Sequence, residues 1–243
     1  MAELDQLWIV RHGESVGNVA AAKAETDGVE SIDLTDRDAD VPLSDLGREQ
    51  AAATGRWLTG LAQGNRPTVA VVSPYRRTAQ TAEAALADTG IPGSVDERLR
   101  DRELGILDLL TSLGVRKRYP DEVTRRNRLG KFYYRPPGGE SWADVALRLR
   151  ALLGDLRRDH TGERVVLFGH EAIVLLLRYL IEGLDEPTLV RLARETTVAN
   201  CSVTGWAADE SGRLRLVTFN NVDHLHRDHT ATTREDEVDA EPV

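Results

Sequence analysis

Three short runs in this chain, Leu7-Trp8-Ile9-Val10, Val69-Ala70-Val71-Val72 and Val165-Val166-Leu167-Phe168, are apolar at every position. A strand with one wet face alternates apolar and polar residues, so a strand with no polar face has to be covered on both sides. Each run also ends abruptly, at Arg11-His12-Gly13, at Ser73-Pro74 and at Gly169-His170. Helical patterns lie between them. From Ser44, a plausible N-cap, Leu46, Ala53, Trp57 and Leu61 recur at helical spacing. Residues Arg76 to Thr89 form an alanine-rich helical stretch closed by a Gly90-Ile91-Pro92-Gly93 turn, and Ser141 to Asp159 places Val145, Leu149, Leu152 and Leu156 on one face. A further helix is expected from about Ala172 to Ile181. Two more strand candidates, Ala199 to Trp206 and Leu214 to Phe219, flank a polar Asp209-Glu210-Ser211-Gly212 turn. This alternation predicts an α/β fold, a sheet clad by helices on both faces.

The 243 residues suit a single domain, expected over 1–222. Two stretches depart from the alternation. Residues from about Gly105 to Pro137 hold no clear strand and read as an insertion, and 223–243 is polar and mostly acidic, which predicts a disordered tail. With 31 basic against 40 acidic residues the formal charge is −9, a poor match to nucleic acid. The lone Cys201 excludes an intrachain disulfide. The first residues, Met1-Ala2-Glu3-Leu4-Asp5, are acidic and lead into no signal-like apolar region, and the apolar stretch from Ala172 to Ile181 is short and broken by Arg178. The expectation is a soluble cytoplasmic protein with no membrane partner.

Candidate chemistry sits at the strand ends, where ligands collect in open α/β sheets. His12 and His170 each follow a buried strand directly. Arg11 adjoins the first, and Arg76 and Arg77 open the helix after Ser73-Pro74. Cations at a helix N-terminus oppose its dipole, so an anion is the natural partner. Two histidines and two arginines without cysteine fit phosphate better than metal, because guanidinium forks match phosphate oxygens. No cofactor and no metal are expected. The closely spaced His224, His226 and His229 are read as incidental.

The run Arg11-His12-Gly13-Glu14-Ser15-Val16-Gly17-Asn18 resembles the signature of the histidine phosphatase superfamily, also called phosphoglycerate mutase-like. Pro42-Leu43-Ser44 to Gln50-Ala51, Ser73 through Arg77 to Ala82, Gly138-Gly139-Glu140-Ser141 and Phe168-Gly169-His170-Glu171 are similar to four further motifs of that family, in order. The resemblance implies a three-layer α/β/α sandwich with a mostly parallel central sheet and a cap insertion. It also implies catalysis through a phosphohistidine. His12 would be the nucleophile; Arg11, Arg77, His170 and Asn18 would hold the phosphoryl group, Asn18 from the first loop. In Leu99-Arg100-Asp101-Arg102-Glu103-Leu104-Gly105 the register makes Asp101 the general acid and base, with Glu103 as the fallback.

The insertion carries eight basic residues between Arg116 and Arg135 against Asp121 and Glu122. Its plain reading is a solvated face; its functional reading is a cationic cap that draws in a small anionic phosphorylated substrate. Phe132, Tyr133 and Tyr134 would either pack that cap down or line the site. The short insertion favours a phosphatase. The alternatives are a cofactor-dependent phosphoglycerate mutase and a non-catalytic phospholigand-binding module. The sequence leaves the particular ester and the oligomeric state open.

Overall fold

A computed structural model describes residues 4–234. Six strands, β1 (Gln6–Arg11), β2 (Val69–Val72), β3 (Gly93–Val95), β4 (Arg164–Gly169), β5 (Val203–Ala208) and β6 (Leu214–Asn221), form one sheet in the order β3-β2-β4-β1-β5-β6. The first four in that order run parallel; β5 is antiparallel to β1, and β6 to β5. The expected mostly parallel α/β sheet is present.

The all-apolar strands are explained by which face each residue serves. Leu7, Ile9, Val165 and Leu167 point to one side, where α6 (Trp142–Asp159), α7 (Glu171–Glu182) and α8 (Glu186–Glu195) cover them with Leu149, Leu153, Ile173 and Leu189. Trp8, Val10, Val166 and Phe168 point to the other side, against Leu58 of α2 (Asp45–Gly60) and Ala82 and Ala85 of α3 (Arg76–Leu86). Ser44 and Ser141 cap α2 and α6, each accepting a hydrogen bond from a first-turn N–H.

Register then brings three strand ends together. Arg11 pairs with Gly169, and Val72 and Val10 both flank Phe168. The turn that follows β1 packs tightly on α2: a Cβ at Gly13 would lie 2.5 Å from the Gly47 carbonyl oxygen, and one at Gly47 only 2.0 Å from that of Glu14. Only glycine permits this approach.

Several expectations need correction. Asn18 lies in the first turn of α1 (Val16–Asp27), a helix capped reciprocally by Ser15 and Asn18, and not in a loop. α1 buries only Ala21 and Ala24, so it left no apolar periodicity to read. Strand β3 occupies the end of the Gly90–Gly93 turn; it is three exposed residues at a sheet edge. β5 begins at Val203 and not at Ala199. The insertion contains α4 (Ser112–Arg118) and α5 (Pro120–Leu129), and its ends meet where the Ile106 N–H donates to the Pro137 carbonyl at 3.0 Å.

The expected tail is also ordered where it is described. Residues 223–227 form α9 (Asp223–Arg227), which packs on α2 through the fully buried Leu225, and Thr233 exchanges hydrogen bonds with Asn200. Burial of one leucine outweighs the polar composition around it; residues 235–243 lie outside the described part of the chain. His224 is buried against Trp57 and Thr54, and burial lowers its pKa to about 4. The unfolded chain therefore binds an extra proton between pH 4 and 6.5, so folding stability falls as pH drops through that window. The shift corresponds to about 3 kcal/mol for this one group. Urea melts at pH 7 and pH 4.5 are expected to differ less for His224→Gln than for the parent; equal pH sensitivity would remove His224 as a cause.

Candidate active site

The nucleophile candidate is held from behind. The backbone N–H of His12 donates to the Gly169 carbonyl at 3.0 Å, and its own carbonyl accepts from Asn200 Nδ2 at 3.1 Å and from the Cys201 N–H at 3.2 Å. Its ring has one consistent protonation. Nδ1 donates to the Gly13 carbonyl at 2.7 Å, and Nε2 accepts from Arg77 Nε at 3.3 Å. The lone pair is therefore on Nε2. Burial, then the charges of Arg77, His170 and Arg11, hold the His12 pKa well below 6.5, and the ring is neutral at ordinary pH.

His170 lies beside it, with ring centroids 5.2 Å apart. It is completely buried, and Ser73 Oγ and Thr78 Oγ1 approach its Nε2 at 2.8 and 3.3 Å. Its Nδ1 sits 3.2 Å from Asp101 Oδ2. Burial lowers the His170 pKa against the opposing pull of Asp101. Arg77, also buried, extends one fork: Nη2 reaches Asp101 Oδ2 at 3.0 Å, and Nη1 reaches Asp38 Oδ1 at 2.8 Å. Arg11 is 1% exposed; its Nη1 donates to the Val198 carbonyl and lies 3.3 Å from Glu171 Oε2. Burial works to raise the Asp101 pKa, yet His170 and Arg77 outweigh it and hold the carboxyl well below 3.8. Glu103 is placed differently. It is exposed, and its Oε1 accepts from the Tyr75 hydroxyl at 2.8 Å.

Arg11, His12, Asn18, Arg77 and Asp101 thus share one cavity of about 230 Å³; His170 does not line it and stands behind Asp101, its Nδ1 3.2 Å from Asp101 Oδ2. Sequence reasoning gave no role to Asp38, Glu171, Ser73 or Asn200. Glu171 and Ser73 stand inside motifs and were within reach; Asp38 is one acid among many, at the start of a single 3-10 turn (Asp38–Asp40), and nothing local marks it. The cationic-cap expectation fails on geometry, because none of the eight basic residues of 116–135 lines the cavity. Lys117 and Arg118 pair with Glu30, Arg125 with Glu122 and Arg135 with Asp144, while Lys131 lies over Trp142. Phe132 and Tyr134 are buried as packing residues, and Tyr133 is exposed; none of the three lines the cavity. No three His, Cys, Asp or Glu side chains gather as metal ligands among the described residues. No described helix is long and apolar enough to cross a membrane.

A neutral imidazole backed by two buried guanidiniums and a second imidazole, at the carboxyl ends of parallel strands, is an arrangement suited to an anionic ligand. The sequence profile of the histidine phosphatase superfamily (branch 1) matches residues 7–222, and the chain belongs to that superfamily. It is 30% identical over 216 residues to the 6-phosphofructo-2-kinase/fructose-2,6-bisphosphatase of Gallus gallus, covering 88% of this chain and 41% of that protein. The chain therefore spans about two fifths of that relative. It is 31% identical over 164 residues to the 2,3-bisphosphoglycerate-dependent phosphoglycerate mutase of Methylorubrum extorquens, covering 65% of this chain and 76% of the relative. Among solved structures, mycobacterial glucosyl-3-phosphoglycerate phosphatase with inorganic phosphate superposes with a TM-score of 0.69 at 27% identity, over 90% of this chain and 99% of that one.

Proposed function

We propose that the chain is a metal-independent phosphomonoesterase working through a phosphohistidine at His12. The observation that carries this reading is the fixed tautomer of His12, which leaves Nε2 unprotonated against Arg77 in the cavity. Arg11, Arg77, His170 and Asn18 hold the phosphoryl oxygens of the bound ester. Nε2 attacks phosphorus as the P–O bond to the alcohol breaks, and Asp101 gives its proton to the departing oxygen. Water then attacks the phosphohistidine, Asp101 takes the water's proton, and phosphate leaves with Nε2 regenerated.

Asp101 has to gain a proton before the first step, although in the free protein Arg77 and His170 keep it ionised. A dianionic phosphoryl group supplies the change. It competes for the Arg77 fork and adds negative charge beside the carboxylate, and both effects raise the carboxyl pKa. Substrate binding thus arms the acid. Fructose-2,6-bisphosphatase and glucosyl-3-phosphoglycerate phosphatase in the names of the similar proteins support hydrolysis of small phosphorylated molecules.

The test is phosphate release from a panel of phosphomonoesters in EDTA, with protein quenched in alkaline detergent and assayed for bound phosphate. Rapid conversion of 3-phosphoglycerate to 2-phosphoglycerate with catalytic 2,3-bisphosphoglycerate would replace this reading with a mutase. The acid limb of kcat/KM, after allowance for the ester's own ionisation near pH 6, is expected to fall with an apparent pKa below 6.5. Protonation of Nε2 removes the nucleophile, and burial with Arg77 delays it. A limb at or above 6.5 would show that another group controls the rate.

A further inference from the structure

Beyond the residues assigned to the phosphoryl group, the lining of the cavity has a composition that the net basic insertion does not suggest. Two segments build that wall: 29–34, which follows α1, and 104–110, which opens the insertion. The Ile32 N–H donates to the Leu109 carbonyl at 2.9 Å, Ser31 and Leu110 form an antiparallel bridge, and Thr111 Oγ1 donates to the Val29 carbonyl at 2.6 Å. From this seam Ile32, Leu34, Leu104, Leu107 and Leu109 line the cavity, with Val41 facing in from the next loop. Leu109 has φ +58°, a left-handed conformation that a leucine adopts only when its surroundings impose it. The fold strains its backbone at a residue that lines this wall.

Charge along the rest of the lining is mainly negative. Glu103 and Asp108 belong to it, Asp38 is taken up by the Arg77 fork, and Arg102 is the one cation among the lining residues beyond Arg11 and Arg77. The Nε of Arg102 is already bound to the Glu140 carbonyl at 2.8 Å. A second phosphate or a carboxylate on the substrate would leave water for an apolar wall flanked by Glu103 and Asp108, which is unfavourable on both counts. A hydrocarbon or aromatic group would instead be favoured by its own burial.

Taking the hydrolase reading above as its basis, we propose that the substrate is a monophosphate ester of an uncharged, largely apolar alcohol, carrying no second anionic group. This separates the chain from bisphosphate and phosphoglycerate chemistry, although the phosphoryl end is shared. The specificity residues are Leu34, Leu104, Leu107 and Leu109.

The experiment compares alkyl esters whose leaving groups are similarly basic: benzyl phosphate and hexyl phosphate against 3-phosphoglycerate, glycerol 3-phosphate and phosphocholine. Affinity is measured by calorimetry on full-length His12→Ala, and kcat/KM on the parent protein. Benzyl and hexyl phosphate are expected to bind roughly 10- to 100-fold more tightly than 3-phosphoglycerate, the size of a few buried methylenes, with the same order in kcat/KM. Leu104→Arg, at a half-open position (38% exposed) that tolerates a long polar chain, is expected to narrow or invert that preference. Leu107→Arg repeats the test on the same wall. Equal or stronger binding of 3-phosphoglycerate or phosphocholine to the parent cavity overturns the proposal, and so does a preference unmoved by both arginine variants. Absence of turnover on every ester would overturn the hydrolase reading alone, because the binding order is read without catalysis.

Discussion

Replacing His12 with alanine is expected to lower phosphate release by roughly four orders of magnitude or more, the scale seen when a covalent nucleophile is removed. Nothing nearby can substitute. The Nε2 of His170 is occupied by Ser73 and Thr78, its Nδ1 faces the Asp101 carboxylate, and Asp101 itself is ionised and tied to Arg77. The effect belongs in kcat, since Arg11, Asn18 and Arg77 remain in the cavity to bind the ester. The parent should yield protein-bound phosphate that is lost in acid and survives base, and His12→Ala should yield none. Residual activity within tenfold of the parent would mean that phosphoryl transfer does not pass through this ring. A thermal melt controls for folding, because the His12 backbone carries anchors to Gly169, Asn200 and Cys201 that alanine keeps.

Asp101→Asn is expected to cost roughly 10²- to 10⁴-fold on alkyl phosphates, the usual range for a positioned acid or base. The cost has a diagnostic shape. 4-Nitrophenolate leaves without a proton, so 4-nitrophenyl phosphate should give a stoichiometric burst of nitrophenol followed by slow turnover, as water attack on the phosphohistidine still lacks its base. KM should fall, because asparagine no longer competes as an anion for Arg77. Glu103→Gln is expected to change kcat less than tenfold, since the Glu103 carboxylate binds the Tyr75 hydroxyl, away from the Asp101–Arg77–His170 cluster. If Glu103→Gln is the inactive variant and Asp101→Asn turns over normally, the proton donor has been assigned to the wrong carboxylate.

Much of the candidate site is legible in the sequence. Strand ends are marked by where an apolar run stops, and Arg11, His12 and His170 stand immediately after such stops. Arg77 stands in the first turn of the next helix. Asp101 was placed by register alone, and the fold brings it to Arg77 and His170, leaving Glu103 outside that cluster. What local sequence could not carry was pairing across distance. The eight basic residues of the insertion read as a lure for anions, yet Lys117 and Arg118 pair with Glu30, Arg125 with Glu122 and Arg135 with Asp144, and none of the eight lines the cavity. A charge in sequence has a sign but no direction. The tail failed for a similar reason: Leu225 is one apolar residue in a polar stretch, and only its seat beside Leu43, Ala51 and Ala53 shows that it is core.

The sequence by itself determined the three central parallel strands, their two covered faces and the identity of the groups at their carboxyl ends, because these follow from periodicity and from the residues next to each strand end. The tertiary structure alone decided the protonation of His12 and the ionisation of Asp101. It also decided the character of the outer cavity, since the wall joins residues near position 32 to residues near 109 through backbone hydrogen bonds. Tautomer, pKa and the chemistry of a cavity wall are all properties of neighbours, and neighbours far apart in the chain are chosen by the fold.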